Sequence, residues 1–182
     1  FDATYGWHNF AVLKQVANGT RNITSFDSVV TQGDTLYPTN AMRMYFTSNH
    51  DENTWNKADY ATMPGASHAP FAVLTQTMKQ SVPLIYSGQE TANNKRLKFF
   101  DKDTIEWNDK LLLFDFYKTL LTLHKNNAIV KGERSEERRV EHDWLKATFT
   151  NVFSQLNYGF QKNESFEIQG YEYFVYASKA NS

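Results

Sequence analysis

Across roughly its first two thirds, this chain alternates short apolar runs with segments of helical period, and two of those runs stop abruptly in polar residues. No other feature limits the possible folds as tightly, because a repeated strand-then-helix order buries both kinds of element only as a parallel sheet covered by helices. The first unit pairs a short strand, Phe1 to Thr4, with a helix carrying Phe10, Leu13, Val16 and Ala17 and stopped by Asn18-Gly19. Thr20 to Asn40 is rich in Ser, Thr, Asp and Gly and reads as a loop holding at most a turn of helix, with Val29 and Val30 as a weak apolar anchor. Ala41 to Ser48 is apolar on both alternating faces, the pattern of a buried parallel strand. A helix opened by Pro64-Gly65-Ala66-Ser67 follows, with Phe71, Leu74 and Met78 at three- and four-residue spacing. Val82 to Tyr86 is a third strand, with Pro83 near its start and Gly88 closing it. Leu113, Phe116, Leu120 and Leu123 mark the strongest helix, and His124 and Lys125 suit its C-terminal dipole.

From Asn126 the pattern changes class. Glu133 to Glu141 is a dense mixed-charge run that reads as a solvated turn or strand rim. Leu145 to Phe149, Val152 to Leu156, Ser165 to Ile168 and Tyr171 to Ala177 are strand candidates, with Asn157-Tyr158-Gly159 and Gln169-Gly170 as turns between them. The fold class expected is α/β followed by all-β, the second part a small antiparallel sheet.

Composition excludes several functions. Lysine plus arginine is 19 and aspartate plus glutamate 20, a formal charge of -1, so the chain lacks the basic field that nucleic acids or anionic membranes attract. Cysteine is absent, which removes disulfides, thiolate zinc sites and a cysteine nucleophile. No apolar run approaches the roughly 20 residues that span a bilayer. The chain begins at Phe1 and reads as a processed product or an excerpt. The one excess is aromatic, with 14 Phe, 10 Tyr and 4 Trp; it fits core and strand filling, or a surface on which the C–H face of a pyranose stacks.

The residues that could carry chemistry sit where strands end, the place where parallel α/β sheets form ligand sites. In Thr47-Ser48-Asn49-His50-Asp51-Glu52-Asn53, His50 and Asp51 offer a donor and a carboxylate acceptor able to grip vicinal hydroxyls of a sugar. The plainer alternative is that Asn49 and Asp51 cap turns. Pro83-Leu84-Ile85-Tyr86-Ser87-Gly88-Gln89-Glu90 repeats the arrangement, with Glu90 read as a structural carboxylate that bonds loop backbone. Tyr5, Trp7, Trp55 and Tyr86 lie beside these ends and suit a groove, or simply the core. His8, His68, His124 and His142 have no metal-ligand spacing. Asp101-Lys102-Asp103 lacks the glycine and terminal Glu of a calcium loop.

These stretches resemble the α-amylase family of retaining glycosidases, glycoside hydrolase family 13. Phe46-Thr47-Ser48-Asn49-His50-Asp51 is similar to the signature at the top of the seventh barrel strand, and Ser81 to Glu90 to that of the eighth, with Ser81 in place of the usual first glycine. Phe1-Asp2-Ala3 with Tyr5-Gly6-Trp7 resembles the sixth strand and its exit; Phe100 to Trp107 resembles the stretch before the last barrel helix. The resemblance implies that residues 1–125 are the C-terminal three β/α units of a TIM-type barrel, left incomplete, and that 126–182 are the antiparallel β domain that follows it. It implies Asp51 as the catalytic, transition-state-stabilising carboxylate, and His50, Asn49 and Tyr86 as substrate-binding residues.

The family's nucleophile and general acid, about 5 Å apart in a retaining enzyme, belong to the fourth and fifth strands and have no counterpart here. The expectation is therefore a fragment of a starch or maltodextrin hydrolase, inactive alone, whose partner is an α-glucan oligosaccharide or polysaccharide. No cofactor is expected in this segment, although calcium is common in the family with ligands upstream. Relatives that degrade polymers imply a secreted or periplasmic location. An open sheet with two edges predicts self-association. The competing reading is a non-catalytic amylase-like scaffold for carbohydrate or protein binding; the His50-Asp51 couple favours the enzyme.

Overall fold

The computed structural model describes residues 2–55, 68–78, 80–107 and 111–126, with the strand residues 149–151, 157–158 and 176–178. Its centre is a parallel sheet of three strands, β1 (Ala3–Tyr5), β2 (Met42–Tyr45) and β3 (Ser81–Pro83), in that spatial order. Ala3, Thr4 and Tyr5 pair with Met42, Arg43 and Met44; Arg43, Met44 and Tyr45 pair with Ser81, Val82 and Pro83. Order and direction agree with the alternating pattern. Pro83 ends β3 instead of starting it, at a sheet edge where its missing N–H costs no ladder bond.

Five α-helices lie among the described residues: α1 (Trp7–Ala17), α2 (Thr24–Leu36), α3 (His50–Trp55), α4 (His68–Thr77) and α5 (Phe114–Asn126). Helix α1 starts at Gly6, whose amide donates to the Met44 carbonyl at 2.9 Å; a Cβ there would meet that oxygen at 3.1 Å and the Tyr45 ring at 3.3 Å. It ends as expected at Asn18-Gly19, with Gly19 at φ +71.

Helix α2 corrects the sequence reading, which left Thr20 to Asn40 as a loop. Phe26, Val29, Val30 and Gly33 follow the i, i+3, i+4, i+7 rule, and Phe26 and Val29 are buried against Phe10, Val12, Leu13 and Phe46. Gly33 looked like a loop residue, yet its missing side chain leaves room for a guanidinium: a Cβ would lie 2.6 Å from Arg43 Nη1. Arg43 is buried in β2, bonds Asp34 at 3.1 Å and lies over the Tyr37 ring. A tertiary partner in the following strand thus decides a glycine that local propensity disfavours in a helix.

A second core joins α4 to α5 through Ala72, Val73, Tyr117 and Leu120, with Ile85, Leu113 and Phe116 packed against it. His68, fully buried, bonds the Tyr117 hydroxyl at 2.6 Å, and His124 Nδ1 lies 3.2 Å from the Gln76 carbonyl. Burial lowers the His68 pKa from 6.5 to about 4.

Three short strands form a separate antiparallel sheet, β4 (Phe149–Asn151) between β5 (Asn157–Tyr158) and β6 (Tyr176–Ser178). Phe149 pairs with Tyr158 and Ser178. Asn157 and Tyr158, read above as turn residues, are in strand because cross-strand pairing with Thr150 and Phe149 claims their backbone. The candidates Val152 to Leu156 and Ser165 to Ile168 lie outside the described residues. Apart from Asn126 and these three strands, the region 126–182 expected to form an all-β domain lies outside the described residues.

Candidate functional site at the strand ends

Because β2 and β3 are neighbours and parallel, their two polar exits emerge side by side. After β2 the chain runs through Phe46, Thr47, Ser48 and Asn49, all buried, and comes to the surface at His50. Asn49 sets that transition. Its side-chain oxygen accepts the Glu52 N–H at 2.9 Å, and its carbonyl accepts that of Asn53 at 2.9 Å, an N-cap that launches α3. The capping alternative for Asn49 describes what this oxygen does; its amide nitrogen is buried and finds no partner among the described residues.

His50 and Asp51 then point outward. His50 Nε2 and Asp51 Oδ1 are 3.6 Å apart, with side chains 60% and 39% exposed. That separation exceeds a good hydrogen bond, so both groups keep donor and acceptor capacity for a ligand. Their backbone is fixed: the Thr54 hydroxyl donates to the His50 carbonyl at 2.6 Å and reaches that of Asp51 at 3.1 Å. Lys14 of α1 pairs with Glu52 at 3.4 Å and ties the helix into the structure from the other side.

Gln89, on a single 3-10 turn (Gln89–Thr91), holds the two exits together, and sequence reasoning gave it no role. It is fully buried; its amide donates to the Thr47 hydroxyl at 2.8 Å and its oxygen accepts the Tyr86 N–H at 2.7 Å. The available signal was that Thr47 and Gln89 stand in the two polar clusters that follow neighbouring strands. The Tyr86 backbone is thereby tied to the β2 exit, and its side chain is half-buried. Glu90 acts as the backbone clamp expected of it, accepting the Gly88 N–H at 3.0 Å. Gly88 itself has φ +101, open to glycine and strained for other residues.

The aromatic residues divide. Tyr5 and Trp7 stack at 5.9 Å and both lean edge-on against Phe46, at 6.0 and 5.2 Å. Trp55 instead packs on Phe99, at 5.3 Å. A cavity of about 500 Å³ lies apart from the His50-Asp51 couple, between the β3 exit and α5, lined by Ile85, Glu90, Phe114, Tyr117, Lys118 and Leu121 among others.

The segment 92–107 covers the end of α3 in an ordered way. Fully buried Asn53 donates to the Lys95 carbonyl at 3.2 Å and accepts the Leu97 N–H at 3.0 Å, and Arg96 bonds the Thr54 carbonyl. Asp103, dismissed as a calcium-loop relic, closes the segment on itself by bonding Lys95 and the amides of Lys98 and Thr104. The Lys95 ammonium and then the Thr104 and Lys98 amides hold its pKa down to about 2.

No protein-family model matches the chain, and no curated protein matches it. Solved structures do. An alpha-amylase from Lactobacillus plantarum superposes with TM-score 0.55 and 24% identity over 71% of this chain and 30% of that one. A noncanonic maltogenic alpha-amylase, AmyB, from Thermotoga neapolitana gives TM-score 0.62 and 20% identity over 72% and 30%. The fold is amylase-like. The chain spans about a third of the length of either neighbour.

Proposed function

We propose that this chain supplies one wall of the active centre of a retaining α-glucan hydrolase. Asp51 is the transition-state-stabilising carboxylate in this reading, and His50 binds a hydroxyl of the same sugar. The observation that carries it is the position of the couple: solvent-facing, on fixed backbone, at the carboxyl end of a parallel strand in an amylase-like fold. A carboxylate and an imidazole there accept and donate to neighbouring hydroxyls, and a contact that tightens as the ring flattens toward an oxocarbenium ion lowers the barrier. Tyr86, brought alongside by Gln89, bounds the site. The nucleophile and general acid come from residues outside this chain, so the segment by itself is a binding surface without turnover.

The test has two arms. The chain alone should release no reducing sugar from starch. In the complete enzyme, Asp51→Asn should lower kcat by about a hundredfold or more, as loss of a group acting in the transition state does, with the melting temperature little changed. Near-normal turnover of that variant would remove Asp51 from the mechanism.

A further inference from the structure

The couple at the β2 exit rides on a helix too short to hold itself. Helix α3 has six residues, His50 to Trp55, and helices that short are not stable alone in water, so the directions in which His50 and Asp51 face are set by whatever grips it. The three residues after the couple carry that grip. Glu52 pairs with Lys14 of α1 at 3.4 Å. Asn53 accepts the Leu97 N–H at 3.0 Å and donates to the Lys95 carbonyl at 3.2 Å, and the Arg96 guanidinium bonds the Thr54 carbonyl. Three consecutive residues, Lys95, Arg96 and Leu97, therefore hold the C-terminal half of α3. Thr54 passes the hold back to the couple, because its hydroxyl bonds the carbonyls of His50 and Asp51.

What fixes those three residues lies further along the chain. The Asp103 carboxylate gathers three donors, the Lys95 ammonium at 2.5 Å and the Thr104 amide at 2.8 Å on one oxygen, and the Lys98 amide at 3.0 Å on the other. The Lys95 ammonium also reaches the Thr104 carbonyl at 3.0 Å, and the Lys95 amide is held by the Asn93 side chain at 3.1 Å. Bonds to an ionised group are about twice as strong as neutral ones, which makes Asp103 the main fastening of the stretch that grips α3. Lys95 and Asp103 both lie outside the two apolar cores, so packing does not account for the arrangement.

We infer that Asp103 is a positioning residue for the His50-Asp51 couple: by fixing Lys95 to Leu97 it orients α3, and through α3 the imidazole and the carboxylate. The route is continuous in hydrogen bonds, from Asp103 to Lys95, from Lys95 to Asn53, and from Arg96 through Thr54 to the backbone of the couple itself. Its influence on a reaction is geometric, since a displacement of about 1 Å among reacting groups can cost a hundredfold in rate. That consequence for turnover rests on the glucan-hydrolase reading proposed above; the mechanical coupling does not.

Amide NMR spectra and hydrogen exchange of the intact chain test the coupling. Asp103→Ala removes all three contacts, Asp103→Asn keeps the size and loses the charge, and Lys95→Met removes the ammonium but leaves the carbonyl that Asn53 uses. In each, exchange at Leu97 should accelerate about tenfold or more, the scale of one lost charge-assisted bond. The His50 and Asp51 amide resonances should move with it, least in Asp103→Asn. The amides of Gly6 and Arg43, which bond the Met44 and Gln80 carbonyls, should stay where they are. Faster exchange at Leu97 with His50 and Asp51 unmoved overturns the proposal. Change that spreads equally to Gly6 and Arg43 also overturns it, since Asp103 would then be a general support of the fold. In the complete enzyme, Asp103→Ala should lower kcat on starch about tenfold or more with KM nearly constant. Unchanged kcat there, with Asp51→Asn inactive, overturns the positioning role and leaves the glucan reading intact. Turnover that survives Asp51→Asn, while the His50 and Asp51 amides respond to Asp103→Ala, overturns the glucan reading and leaves the coupling standing.

Discussion

At the scale of single residues, a few buried polar side chains decide where the site lies. Gln89 has no access to water and spends both ends of its amide on the two strand exits. Gln89→Leu would leave the Thr47 hydroxyl and the Tyr86 amide each short of a bond, and a buried group left so costs about 1–3 kcal/mol. Urea denaturation should show a loss of that size. A change below about 0.5 kcal/mol would mean that the exits are held by other contacts. Asn53 has the same role for the segment 92–107. Asn53→Ala should expose that segment to proteolysis near Lys95 and Lys98 while leaving the parallel sheet folded, which limited trypsin digestion reads directly. Of the residues singled out from sequence, His50 and Asp51 emerge exposed and adjacent because the chain is capped at Asn49. Asn49 and Gln89 could not be distinguished there, since a polar side chain in a cluster looks the same whether it faces solvent or bridges two loops.

At the scale of elements, the joint between α4 and α5 is the place where pH acts. His68 is neutral in the folded protein down to about pH 4, whereas in the unfolded chain it takes up a proton below about 6.5. Between those values the unfolded state binds more protons, so stability rises with pH in this window and is lost as pH falls from 6.5 toward 4. A shift of this size corresponds to roughly 3 kcal/mol at the acid end. Denaturation midpoints measured from pH 7 to 4 should fall, and His68→Gln, which keeps a partner for the Tyr117 hydroxyl, should flatten the dependence. An equal slope in both proteins would exclude His68 as its source. Asp103 acts lower: its carboxylate is favoured in the folded state, so its contribution is complete above pH 4 and fades as pH falls through about 2. Leu120, fully buried in the same joint, should cost about 2–5 kcal/mol when cut to alanine. The helices with regular apolar spacing, α1, α4 and α5, were legible in the sequence. Helix α2 was not, because Gly33 and its polar neighbours obscure an apolar face that only α1 completes.

For the whole molecule, the parallel sheet has β1 and β3 as outer strands among those described, and each presents unpaired backbone on one side. Leu36 and Leu112 are about 70% exposed as well. The expected consequence is concentration-dependent association, visible as a rising weight-average mass in sedimentation equilibrium; a constant monomer mass would show the edges to be protected. The sequence alone determined the alternation of strands and helices, their parallel order and the polar clusters at the strand ends, because period and turn chemistry are local properties of the chain. Only the tertiary structure decided that Gly33 leaves room for Arg43, that Gln89 fastens the Tyr86 amide to Thr47, and that Trp55 meets Phe99 beyond Asp51. Each of those depends on groups in different elements, whose meeting is set by packing and by hydrogen bonds between buried polar groups.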